Sequence, residues 1–295
     1  MNYACSIGFF DGVHRGHQYL LRQLREVAAA RGLVPMVCTF AQHPAQVLRR
    51  GDAPHLLTSL DEKREYLREM GIAECLVLDF TPELARLTAR EFMREVLLPR
   101  GVRLLLMGYD HRFGSDRADY AACRILGEEL GMEVCLEKPF SEDACTFSSS
   151  LIRKSLASGD VKSAAAMLGR HYALEGEVVE GRHVGTTMGF PTANLRLSEP
   201  RKQIPACGAY AVWACLGSKR YAAMTNIGTR PTLQNGNDVS IETHLFNYAS
   251  DLYGKPLRLE FVERLREEVP FASLEALKQQ LAEDAARTNG LLIKN

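Results

Sequence analysis

The chain has 295 residues, 46% of them hydrophobic and 24% charged, which fits a globular protein of about two domains and excludes a disordered, fibrous or membrane-embedded one. Its 36 Lys and Arg balance 36 Asp and Glu, so no global field favours nucleic acid or an anionic membrane surface, and small molecules are the expected partners. No apolar run reaches the length of a membrane span and the N-terminus lacks a signal-peptide pattern, so a cytoplasmic protein, monomer or weak homo-oligomer, is expected. The eight cysteines contain no C-x-x-C pair and five sit in or beside strand-like runs. Buried free thiols are expected, without structural zinc or disulfides.

Tyr3 to Ile7 is an apolar, β-prone run that enters a turn carrying Gly8, Asp11 and Gly12. Leu20, Leu24, Val27 and Ala28 then recur at helical spacing, which predicts a helix beginning near Gly16 with His14 and His17 at its first turn. A helix N-terminus after a glycine turn suits polyphosphate, because unpaired N–H groups and the positive dipole end face the ligand. Two imidazoles on that rim can donate to phosphate oxygens, the favoured reading over metal ligands or ordinary surface residues.

Val34 to Phe40 reads as a buried strand leading to His43-Pro44. Ser59 and Glu62 form a capping box for a helix to Met70, Cys75 to Phe80 is a strand, and Thr88 and Glu91 cap a helix through Leu98. Val102 to Met107 is a continuous apolar strand of the kind parallel sheets bury. The alternation predicts a doubly wound, Rossmann-like α/β domain with ligands beyond the carboxyl ends of its strands, where His14, His17, His43 and Asp110 all fall. Phe147 to Arg153 starts a further helix.

Near Leu168-Gly169-Arg170 the pattern changes to short strands at Leu174–Val179, Ala209–Cys215, Tyr221–Asn226, Val239–Phe246 and Leu257–Val262. These predict a small antiparallel β-barrel, followed by a C-terminal helix over Ser273–Thr288, and give domains 1–167 and 168–295. Gly181, Gly185 and Gly189 punctuate a loop into Phe190-Pro191-Thr192-Ala193-Asn194. Glycine loops serve hairpins as readily as phosphates. In Val239–Leu245, Ser240, Glu242 and His244 share one strand face.

His14-Arg15-Gly16-His17 resembles the H-x-G-H signature of the nucleotidyltransferase superfamily, and Phe10 to His17 resembles more narrowly the adenylyltransferase half of bacterial bifunctional FAD synthetases. The resemblance implies an N-terminal nucleotidyltransferase domain and transition-state roles for His14 and His17. It also implies nucleotide or flavin binding by Gly8, Phe10, Asp11, Gly12, Gly16 and His43. Gly108 to Gly114 resembles the family's Gly-x-Asp-x-Arg-Phe-Gly motif and carries over Asp110. Ser148 to Arg153 resembles Ser-Ser-Thr-x-x-Arg, with Ser150 keeping the hydroxyl of the threonine; it carries over Ser149 and makes Arg153 the arginine that reaches the triphosphate. Gln42 replaces a common proline before His43-Pro44.

In the second half, Pro191 to Asn194 resembles the Pro-Thr-Ala-Asn of flavokinases, which implies Thr192 and Asn194 as ligands of Mg²⁺ with Mg-ATP, and Gly185 and Gly189 in the nucleotide loop. Thr186 stands where many members have arginine. Glu242 matches the catalytic glutamate that accepts the proton of the riboflavin 5′-hydroxyl, and Arg266 falls near the flavin. The implied substrates are ATP, riboflavin and FMN. Two rival readings are a flavokinase with a decayed first domain and a non-enzymatic flavin-binding regulator.

Overall fold

The computed structural model describes residues 1–48, 53–109, 111–138, 147–181, 189–232 and 236–293, with the side chains of 230–238 set aside. Asp110, Gly185 and Cys145 lie outside the described residues. By contacts the chain divides into two units, Met1–Ser148 and Ser149–Asn295.

In the first unit β1 (Tyr3–Ile7) leads through the glycine turn into α1 (Arg15–Ala30), and β2 (Val34–Phe40) into the short α2 (Pro44–Val47). The helix α3 (Leu60–Glu69) carries the expected capping box between Ser59 and Glu62. Then come β3 (Glu74–Leu78), α4 (Pro82–Arg86), α5 (Ala89–Phe92), β4 (Val102–Met107), α6 (Tyr120–Leu130) and β5 (Glu133–Leu136). All the strands are parallel, in the order β3-β2-β1-β4-β5. Since β1 has β2 on one side and β4 on the other, the connections leave in opposite directions, and the crevice between the carboxyl ends of β1 and β4 is the topological switch point. The turn bearing the two histidines opens there.

Both faces of the sheet are covered, which is why its strands read as unbroken apolar runs. Ala4, Val37, Leu104 and Leu106 pack with Leu20, Leu21 and Leu24 of α1 and Leu67 of α3. Their strand neighbours Cys5, Met36, Cys38, Leu105 and Met107 pack on the other side with Phe92, Met93 and Leu97. The helix expected to run on to Leu98 instead loosens after Phe92 into a π-helical turn, Met93–Leu97, and a 3-10 turn, Leu98–Arg100. Pro99 accounts for this: it has no N–H to donate and its ring crowds the carbonyl four residues back.

In the second unit α7 (Ser149–Ala157) and α8 (Val161–Leu168) pack together, and α8 lies against β6 (Tyr172–Val179) and β11 (Pro256–Glu267). Between these come β7 (Ala193–Leu197), β8 (Gly208–Leu216), β9 (Lys219–Thr232) and β10 (Gly236–Leu245), and the chain ends in α9 (Leu274–Leu292). The strands close a barrel in the order β10-β7-β6-β11-β8-β9, every pair antiparallel. Leu292 of α9 seals one side over Ala209, Ala211, Ala222 and Leu265. The cysteines among the described residues are all free thiols.

Candidate active site

In the first unit the turn after β1 is held in a conformation that side chains resist. Phe10 and Val13 have φ of 52° and 38°, flanking Gly12 at 81°, and non-glycine residues there carry strain that the surroundings must over-determine. A buried strut does so. Asp11, 3% exposed, accepts at Oδ1 from the backbone N–H of Leu57 at 2.9 Å, from that of Thr58 at 3.1 Å and from the Thr58 hydroxyl at 3.3 Å. The Gly12 N–H donates to the same Thr58 hydroxyl at 3.1 Å. Asp11, expected among the binding residues, engages its Oδ1 with its own chain and so holds the turn. Thr58, its partner, left no signal in the sequence.

The turn delivers His14 as N-cap of α1 and His17 in its first turn. The rings stack, centroids 3.7 Å apart and 17° from parallel, with the His17 N–H donating to His14 Nδ1 at 3.4 Å. Phe10 meets His17 edge-on at 5.1 Å. A Cβ at Gly16 would come within 3.2 Å of the His14 ring, so any larger residue there would press on the stack. His17 Nδ1 is buried and has no hydrogen-bond partner among the described residues. Desolvation, then His14 and Lys63, push its pKa well below the ordinary histidine value, so the ring is neutral at pH 7. His43, N-cap of α2, contacts Phe9 edge-on at 4.7 Å. Phe10, Gly16, His14 and His17 thus lie against one another, Gly8 lies beside Phe10, Gly12 lies in the same turn, and His43 reaches that turn through Phe9. Ser149 and Arg153 stand at the start of α7 and one turn along it, in the second unit.

The second centre is built on β10. Its register sets Glu242 opposite Asn194 of β7 and Asn226 of β9, and residues directly opposite in an antiparallel ladder point to the same face. The other face is interior: Thr243 and Thr225 are buried there, their hydroxyls 2.8 Å apart. A cavity of about 290 Å³ is lined by Thr192, Asn226, Glu242, Arg266, Phe271 and Asp284, among others. Asp284, 5% exposed, accepts from Arg266 Nε at 2.9 Å and from Gln280 Nε2 at 3.1 Å, while the guanidinium lies 5.4 Å from the Phe271 ring centroid. His244 Nδ1 is 2.9 Å from the Pro191 carbonyl oxygen, beside Thr192. The Asn194 side chain fills the space beside Gly181, where a Cβ would fall 2.0 Å from its Nδ2 and force it to move. Gly189, at φ 82°, ends the loop before Phe190.

The expected kinase residues Thr192, Glu242 and Arg266 therefore meet at one cavity. The sequence reading missed β7, which begins at Ala193 and puts Asn194 into the ladder, because one glycine-rich stretch masked its short alternation. It also missed Asn226 and Asp284; their roles come from register and from α9, which no local motif carries.

A family model described as FAD synthetase matches residues 1–151, and one described as riboflavin kinase matches 168–292. The bifunctional riboflavin kinase/FMN adenylyltransferase of Escherichia coli (strain K12) is 40% identical over 283 residues, 95% of this chain and 89% of that protein. The protein of the same description from Pseudomonas fluorescens is 35% identical, with 98% and 92% covered. A crystal structure described as a macrolide-efflux protein from Streptococcus pneumoniae is 30% identical with a TM-score of 0.90, covering 98% of this chain and 94% of that one. No helix among the described residues is long and apolar enough to cross a membrane. With both halves matched in order and relatives aligned over nearly their full length, the chain belongs to the family of bifunctional riboflavin kinase/FMN adenylyltransferases.

Proposed function

We propose that the chain makes FAD from riboflavin in two ATP-dependent steps, phosphorylation at the barrel and adenylyl transfer at the parallel-sheet unit. One observation carries the reading: a single chain holds both the stacked His14–His17 rim at a sheet switch point and the Glu242 cavity with Thr192 and Arg266.

At the barrel, Glu242 accepts the proton of the riboflavin 5′-hydroxyl as that oxygen attacks the γ-phosphorus of ATP. The bond to the bridging oxygen breaks and ADP leaves with its electrons. Arg266, oriented by Asp284, and Phe271 supply the wall for the flavin, while Gly185 and Gly189 are assigned to the nucleotide loop. Thr192 and Asn194 are the residues that would hold Mg²⁺. Their oxygen donors suit a hard cation, and the described residues contain no cluster of three His, Cys, Asp or Glu that would cage a metal without substrate, the situation in which magnesium is shared with substrate phosphates. When bound, it neutralises charge on those phosphates.

At the first unit an oxygen of the FMN phosphate attacks the α-phosphorus of a second ATP; the bond to the β-phosphate breaks and pyrophosphate leaves. The N–H groups at the start of α1, with His14 and His17, donate toward the oxygens that gain charge. His17, being neutral, contributes a hydrogen bond and no charge. Asp110, Ser149 and Arg153 are assigned to nucleotide or flavin binding on the family resemblance, and the functional boundary is kept at 167/168. The cytoplasm, where ATP is plentiful, is the compartment such chemistry needs.

Incubating the pure protein with riboflavin, ATP and Mg²⁺ and separating the flavins tests this. FAD is expected. FMN alone would indicate a kinase with an inactive first unit, and neither product a flavin-binding protein.

A further inference from the structure

Beneath the phosphate rim lies a charged side chain to which the chemistry above gives no role. Lys63, on the inner face of α3, is 2% exposed. Its ammonium sits 3.9 Å from the centroid of the Phe9 ring and donates to Thr39 Oγ1 at 3.4 Å. That hydroxyl in turn donates to the Phe9 carbonyl oxygen at 3.1 Å. Phe9 is therefore gripped twice from below, by its ring and, through Thr39, by its carbonyl. The same ring meets His43 edge-on, and the next residue, Phe10, is the first of the strained turn. An ammonium with three N–H groups and one long hydrogen bond is a poor structural filler at this depth.

We propose that Lys63 is a positioning residue for adenylyl transfer: its cation clamps Phe9 and thereby fixes His43 and the turn that delivers His14 and His17 to the nucleotide phosphates. A desolvated cation over an aromatic face is strongly held, and the hold is lost when the amine is neutral. Burial pulls the Lys63 pKa down to about 8, against the opposing attraction of Asp11. Burial holds His17 neutral from α1 and raises the Cys75 thiol on β3, while Glu62 beside it on α3 is engaged in the capping box. The clamp is therefore on below about pH 8 and released above it.

The inference rests on placing adenylyl transfer at the histidine rim. His17→Ala tests that placement separately: if the variant kept full FAD formation the rim itself would be misassigned, whereas failure of the Lys63 inference leaves the His17 result untouched.

The test is the pH profile, from 6.5 to 9.5, of FMN adenylylation and of riboflavin phosphorylation by the full chain, for the parent, Lys63→Met and Thr39→Val. The parent's adenylylation should fall with a midpoint near pH 8 while its kinase activity shows no such limb. Lys63→Met should adenylylate about 10²-fold more slowly at pH 7, the scale of a rim displaced by about an ångström, with the limb gone and Tm raised rather than lowered. Thr39→Val should lose less and keep the limb, since the charge remains. A parent profile flat through pH 8 would overturn the proposal even if Lys63→Met failed to fold. So would Lys63→Met at the parent rate, or a slow Lys63→Met with a lowered Tm and the limb intact, the signature of a merely structural residue.

Discussion

At the scale of single residues, the first site combines groups that are each unfavourable alone. Two stacked imidazoles cannot both ionise cheaply, and burial keeps His17 neutral. On the proposed mechanism, replacing His17 by Ala removes one donor to the developing charge and should slow FMN adenylylation about 10²- to 10³-fold. Riboflavin phosphorylation should stay close to the parent value, and separate assays of the two steps check both. Lys63 makes the cost of such a site explicit. Its folded pKa of about 8 lies below its unfolded value of about 10.4. The unfolded chain therefore binds more protons between those values, so stability rises with pH across that window and the burial penalty is at its full size below pH 8. That penalty is about 3 kcal/mol at pH 7, and Lys63→Met should recover part of it in denaturant unfolding at pH 7 but not at pH 11. The motif His14-Arg15-Gly16-His17 was legible in the sequence as chemistry. Lys63 was not, because nothing in a helical run of charged residues tells which one faces inward until α3 is packed on the sheet.

At the scale of elements, the turn after β1 shows how a local conformation is imposed from a distance. Gly12 alone accounts for one left-handed residue; Phe10 and Val13 are held there because Asp11 binds the backbone at Leu57 and Thr58. Asp11→Ala leaves buried N–H groups without a partner, so it should destabilise the first unit by about 1–3 kcal/mol per lost contact group. It should also cut adenylylation more than kinase activity; chemical denaturation followed by the two assays measures this. The capping boxes at Ser59 and Thr88, the continuous apolar strands and the α1 start were all readable, since each depends on neighbours within four residues. The π-helical turn over Met93–Leu97 was foreshadowed by Pro99 alone, and β7 by an alternation too short to stand out beside glycine and proline. The Asn194–Glu242–Asn226 row was out of reach because it is a fact of strand register: 32 positions separate Asn194 from Asn226 in the sequence.

At the scale of the molecule, two units with separate cores carry two chemistries that share a nucleotide and a flavin. Phosphoryl and adenylyl transfer need positioning and charge stabilisation more than covalent participation, and each unit supplies these by its own route. On the proposed mechanism, one uses a helix N-terminus at a sheet switch point, the other a cross-strand row on a barrel wall. The central claim is that these are independent centres, and Glu242→Gln tests it most directly, because it keeps the shape of the side chain and removes its basicity. The measurement is the rate of FAD formation by the folded variant, supplied in parallel with riboflavin and with FMN, each with ATP and Mg²⁺. The account predicts riboflavin phosphorylation slowed about 10²- to 10⁴-fold and FMN converted to FAD at the parent rate. Parent-rate FMN production would remove Glu242 as the base, and loss of FMN adenylylation in a variant that remains folded would contradict the division into two centres.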